Sequence, residues 1–152
     1  MPATSTSQFV SAPRAEVYRA CLDPALLVRW RVPDNMTAQV HSFDAREGGR
    51  YRMTLTFRDA DHPVDGKTTP HADSFGGRFV EIIPNEKIVE AIVFTTDDPG
   101  ARGEMTLTTE FRDAAGGTEV TMAFRNIPPG IRPEDNDLGT RQSLKKLAAL
   151  FA

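Results

Sequence analysis

The chain has 152 residues, with 18 Lys and Arg against 21 Asp and Glu and a formal charge of −3. This length suits one domain with one sizeable core, and the mild acidity, without a large Lys/Arg cluster, argues against a face that tracks nucleic-acid phosphates. A single cysteine excludes an internal disulfide framework, and no apolar run approaches the roughly 20 residues of a membrane-spanning helix, so no membrane partner is expected.

From the start, Met1 to Ser7 has neither a basic nor an apolar leader region, which predicts a cytoplasmic protein. Thr4 to Ser11 reads as a short polar edge strand that buries only its end, at Phe9 and Val10. Ala12-Pro13 sets an extended residue ahead of a helix-compatible proline, and Val17, Ala20 and Cys21 then share one helical face up to Leu22. Asp23-Pro24 stops that helix and starts a second. Asp23 suits the N-cap and Pro24 the first helical position, while Leu26, Leu27 and Trp30 supply apolar content before Pro33 ends it.

Ala38 to Asp44 alternates weakly as a strand, and Arg46-Glu47-Gly48-Gly49 turns into the clearest strand of the chain. There Tyr51, Met53, Leu55 and Phe57 alternate with Arg50, Arg52, Thr54, Thr56 and Arg58, a period of two that puts the first set on a buried face. A polar loop is expected over Asp59 to Ser74, longer than most hairpin connections. Phe79 to Ile83 and Ile88 to Phe94 read as strands joined by Pro84-Asn85-Glu86, with Gly76-Gly77 as a bulge or bend before the first. Met105, Leu107, Thr109 and Phe111 alternate again, and Ala114 to Thr118 turns into Val120, Met122 and Phe124.

Pro128-Pro129-Gly130 breaks the sheet, and the last helix, Pro133 to Phe151, opens on a proline with acids at its positive dipole end. Thr140, Leu144, Leu147, Ala148 and Phe151 share one face of it, and the single apolar side of an antiparallel sheet is what the chain offers to cover that face. The expected architecture is α+β. It comprises a curved antiparallel sheet of about six to seven strands around a long C-terminal helix, with two short helices after the first strand, in one domain over 1–152.

This order of elements resembles the helix-grip fold of START-like domains. Ala12-Pro13 with Val17-Tyr18, Asp23-Pro24 with Leu27 and Trp30, Gly48-Gly49-Arg50-Tyr51, and Gly77-Arg78-Phe79 with Glu81, Pro84 and Glu86 carry a narrower likeness. Together they look like the family of homologues of the activator of the 90-kDa heat-shock protein ATPase, across nearly the whole chain. The resemblance implies a cavity between sheet and terminal helix, and functions that range from chaperone binding to binding of hydrophobic small molecules. Two positions depart from the family pattern: Thr140 stands where a tryptophan usually follows the glycine at 139, and Arg31 where an aromatic commonly follows Trp30. Threonine in place of an indole removes on the order of 100 Å³ of filling, which either enlarges the cavity or is repacked by Met53, Met105 or Met122.

The expected cavity lining is Trp30, His41, Tyr51, Met53, Leu55, Phe57, Phe111, Met122, Phe124, Thr140 and Leu144, although aromatics and methionines at strand spacing serve equally as plain core. His41, beside Val40 and Phe43, is either an inward polar group or an outward surface residue, and the outward placement is favoured. No catalytic set is evident. Cys21 falls on a buried helical face, and His62 and His71 with Asp61, Asp65 and Asp73 lack a recognised metal-ligand spacing, so no metal and no cofactor are expected. Glu47-Gly48-Gly49 lacks the Lys and Ser/Thr of a phosphate loop, and Arg50, Arg52 and Arg58 form a solvated stripe.

The leading expectation is therefore a non-enzymatic carrier or sensor of a small hydrophobic ligand, as a monomer or homodimer. One alternative is a co-chaperone-like interaction module whose partner is a chaperone or another protein. The other is a polyketide-cyclase-like enzyme that orients an apolar substrate with His41, Tyr51 or Arg31. A pocket of roughly 300 Å³ or more with convergent polar groups separates the ligand and substrate readings from a closed, dry core.

Overall fold

A computed structural model describes residues 2–58, 66, 68–69 and 72–152. In chain order the strands are β1 (Ala3–Val10), β2 (Met36–Phe43), β3 (Arg50–Phe57), β4 (Ala72–Ile83), β5 (Lys87–Thr95), β6 (Met105–Ala114) and β7 (Gly117–Arg125). The helices are α1 (Arg14–Leu22), α2 (Pro24–Trp30) and α3 (Pro133–Ala149). The strands make one antiparallel sheet of seven in the order β1-β7-β6-β5-β4-β3-β2, so β2 to β7 follow one another as neighbours while β1 closes the far edge against β7. This is the α+β helix-grip architecture, with two short helices after the first strand and a long C-terminal helix against the sheet.

The local reasons are those of the sequence. Tyr51 and Met53 in β3, Met105, Leu107, Thr109 and Phe111 in β6, and Val120, Met122 and Phe124 in β7 all turn to one buried side. In β1 only Val10 is buried, as suits an edge strand. Asp23 caps α2, its Oδ1 accepting from the Ala25 amide at 2.9 Å. Gly48 has a φ of 81°, the left-handed conformation that the turn into β3 requires.

Two expectations are corrected. The polar loop yields Ala72, Asp73 and Ser74 to β4, where Asp73, Phe75, Gly77 and Phe79 alternate inward, a period obscured in the sequence by the small and acidic residues that carry it. Gly76-Gly77 is not a bulge. Tyr51 pairs with Gly77 and Arg52 with Gly76 in unbroken register, whereas the irregularities lie between Phe79 and Glu81 and between Val40 and Ser42. Gly77 is required for a different reason, because a Cβ there would overlap the ring of Tyr51. Gly77→Ala must push a buried tyrosine aside, and a loss of about 1 to 3 kcal/mol in urea denaturation is expected. A loss below about 0.5 kcal/mol would show that the ring has room to swing.

The helix α3 is tied down on both flanks. Toward β1, Thr6 Oγ1 donates to Asp137 at 2.5 Å and Asn136 Nδ2 donates to Thr4 Oγ1 at 3.2 Å. Toward the segment after α2, Lys146 Nζ lies 3.0 Å from Asp34, and Gln142 Oε1 accepts from the Asp34 amide at 3.1 Å. Leu144 and Leu147 are fully buried against the core. Among the described residues no helix is long and apolar enough to cross a membrane.

Candidate functional site

With its C-terminal half packed and its N-terminal half held toward β1, α3 stands off the sheet, and an open cavity of about 560 Å³ lies beneath it. Every strand from β3 to β7 contributes to the cavity's apolar wall. Leu55 and Phe57 come from β3, Phe75 from β4, Ile92 and Phe94 from β5, and Met105, Met122 and Phe124 from β6 and β7. Opposite them α3 presents Leu138, Gly139, Thr140 and Ser143. The Thr140 hydroxyl donates to the Asn136 carbonyl at 2.7 Å, one turn back in its own helix, which satisfies it and leaves the methyl for the cavity wall.

At the inner end the wall turns polar. Arg31, the residue that ends α2, sends its guanidinium between β3 and β5, where Nη1 donates to Glu90 Oε1 at 2.8 Å and Nη2 to the Tyr51 hydroxyl at 3.2 Å. The Tyr51 hydroxyl donates in turn to the same Glu90 oxygen at 2.5 Å. The cation also lies over two rings, with Cζ 5.5 Å from the centroid of Tyr51 and 5.9 Å from that of Phe75. Of these three polar groups only Arg31 borders the cavity.

Electrostatics fix the protonation of this network. Burial holds the Tyr51 hydroxyl well above its ordinary range, with Glu90 adding to the effect and Arg31 opposing it, so the phenol stays protonated and donates. Desolvation works against the Arg31 charge, but Glu90 and Tyr51 more than offset it and keep the guanidinium protonated. Glu90 is only 4% exposed, and an ion pair at that depth needs the geometry seen here to recover the desolvation of both partners. Nearby, Cys21 is buried and its thiol is pushed far up, first by desolvation and then by the charge of Glu90, which holds it protonated. Among the described residues, no cluster of three or more His, Cys, Asp and Glu could hold a metal ion. Asp61, His62, Asp65 and His71 fall outside those residues.

The sequence matches the model of the family of activator of Hsp90 ATPase homolog 1-like proteins over residues 11–152. The chain belongs to this family. Among solved structures, protein CV1439 from Chromobacterium violaceum is 35% identical with a TM-score of 0.87, the match covering 99% of this chain and 96% of that one. Protein Ms6760 from Mycobacterium smegmatis matches at 17% identity and a TM-score of 0.78, covering 99% and 91% of the two chains. A protein from Arthrobacter aurescens does so at 15% and 0.81, covering 99% and 86%. At such identities the latter two speak for the fold alone. No curated protein matches the chain.

Within this homologue of the Hsp90 ATPase activator, the residues expected around the cavity divide. Leu55, Phe57, Met122, Phe124 and Thr140 line it. Trp30, Tyr51, Met53, Phe111 and Leu144 are buried but lie off it, because the cavity occupies only the end of the sheet beneath the first half of α3. Trp30 closes the seam between α1 and α2, and Phe111 packs edge-on against Tyr18 at 5.9 Å, beside a separate surface hollow. His41 does not line the cavity. The pleat of β2 turns Met36, Ala38 and Val40 inward and His41 outward, where its ring nitrogen bonds Thr54 Oγ1 at 2.8 Å. The lining residues absent from the expected set include Arg31, Met36, Asp73, Phe75, Ile92 and Phe94, and off the cavity the largest omission is Glu90, the partner of Arg31. Glu90 shares one parity of β5 with Ile88, Ile92 and Phe94, but both parities of that strand are apolar in sequence, so the buried side does not show there.

Proposed function

We propose that this protein binds a small, mainly apolar molecule in the cavity between the sheet and α3, as a carrier or sensor and not as a catalyst. The observation that supports this reading is the cavity itself. Its volume of about 560 Å³ falls in the range of small-molecule sites, with an apolar wall and one orienting cation at its inner end. Thr140 leaves open the place that the family resemblance would fill with an indole. A cyclase-like enzyme has less support, since the Tyr51 hydroxyl is engaged by Glu90 away from the cavity and His41 faces outward.

Nile red, an uncharged apolar dye, is expected to bind saturably at micromolar concentration, a free energy of about −8 kcal/mol. Thr140→Trp should weaken binding at least about tenfold while keeping or raising the melting temperature, because an indole entering an existing void adds contacts without displacing others. Absence of saturable binding, together with a loss of about 1 to 3 kcal/mol in Thr140→Trp, would mean an overpacked and already filled site. The protein would then be an interaction module, with a chaperone or another protein as partner.

A further inference from the structure

We propose that the cavity takes an uncharged apolar molecule carrying a hydrogen-bond acceptor, such as an alcohol, ketone or ester oxygen, and discriminates against the corresponding carboxylate, which rests on the ligand-binding reading above. Among the described residues two cations border the cavity, Arg31 and Arg132. Both are already matched. Arg31 lies 2.8 Å from Glu90, and Arg132 Nε lies 3.3 Å from Glu134 and 4.0 Å from Asp135. Lys146, beside the mouth, is matched by Asp34 at 3.0 Å. Among the described residues an arriving carboxylate therefore meets no unpaired cation, while Asp34 and Asp135 stand at the entrance with charge of its own sign.

A carboxylate entering between phenylalanine, isoleucine and methionine side chains loses its hydration without an ionic partner to replace it. A neutral oxygen avoids most of that loss and still finds a donor. Arg31 commits one N–H of each terminal nitrogen to Glu90 and Tyr51, and a guanidinium has five N–H groups in all. Its side chain keeps 12% of its surface, at the inner end of the cavity. Glu90 thus sets the selectivity without touching the ligand, by cancelling the charge of Arg31 while leaving its remaining donors in place. Glu90→Gln retains an acceptor oxygen of similar position but leaves the guanidinium unmatched, which opens Arg31 to a carboxylate.

The test is displacement of Nile red by decanol and by decanoate at mildly alkaline pH, where decanoate is ionised. With wild-type protein, decanol is expected to compete at about one-tenth of the concentration that decanoate needs. In Glu90→Gln, decanoate should gain about tenfold relative to decanol, closing or reversing the gap. Equal competition in wild type, stronger competition by decanoate, or none by either compound while Nile red binds saturably would overturn the proposal and leave the ligand-binding reading standing. If Glu90→Gln fails to fold, the wild-type comparison decides alone. If Nile red does not bind at all, the ligand-binding reading falls and this selectivity with it.

Discussion

Arg31→Ala is expected to destabilise the protein by about 3 to 5 kcal/mol, the usual cost of stripping the partner from a buried charge. Glu90 would keep only the Tyr51 hydroxyl and would sit, 4% exposed, between Ile88 and Ile92 with no cation beside it. The rings of Tyr51 and Phe75 would also lose the guanidinium plane that lies over them. Removing both charges together should be far milder. Arg31→Met with Glu90→Leu is expected to recover most of the loss, because apolar residues of similar volume replace a buried ion pair with little net change. Urea denaturation of the two single variants and the double variant gives the coupling directly. A loss under about 1 kcal/mol in Arg31→Ala would show that water reaches Glu90, contradicting a network closed on that side.

Trp30→Ala is expected to cost about 3 to 5 kcal/mol as well, for a different reason. The indole is 1% exposed, and its Nε1–H donates to the Ala20 carbonyl at 2.9 Å. Ala20 lies in the last turn of α1, where carbonyls have no partner within the helix, so one side chain fills the seam and satisfies a helix end. Truncation leaves a void of indole size in the core cluster that also holds Leu27 and Val17, both fully buried, and an orphaned carbonyl at its edge. Trp30→Phe should separate the two contributions, restoring most of the volume but not the hydrogen bond. Chemical denaturation followed by circular dichroism measures both, and a loss below about 1 kcal/mol for the alanine variant would place the ring outside the core.

Most of the fold was legible because strict alternation announces a half-buried sheet. The β3, β6 and β7 segments alternate cleanly, and the Asp23-Pro24 pair marks the junction of α1 and α2 unambiguously. The helix α3 was read from its periodic face, and the structure buries Thr140, Leu144 and Leu147 on it. What stayed hidden was parity in β4 and β5. In β4 the inward positions include Asp73 and Gly77, which carry no hydrophobic signal, and in β5 the run from Ile88 to Phe94 is apolar on both sides except at Glu90. Without parity, Phe75, Ile92, Phe94 and Glu90 could not be assigned to the inner face, and Arg31 had no visible counter-ion. Cross-strand register decides it, since Tyr51 pairs with Gly77 and Gly77 with Ile92. The bulge between Val40 and Ser42 likewise interrupts the simple alternation around His41.

Position along a strand was the other gap. Tyr51, Met53, Leu55 and Phe57 share one face, yet only the last two reach the cavity, because α3 stands off the sheet at one end and packs down at the other. The methionines turn this into a measurement. Met36, Met105 and Met122 border the cavity, whereas Met53 is buried outside it and serves as an internal control. Titrating methyl-labelled methionine protein with Nile red and recording its NMR spectrum is expected to shift the Met36, Met105 and Met122 methyl signals along one saturable curve, with Met53 changing much less. Methyl signals that stay still at saturating Nile red, or a response confined to Met53, would contradict ligand binding between the sheet and α3.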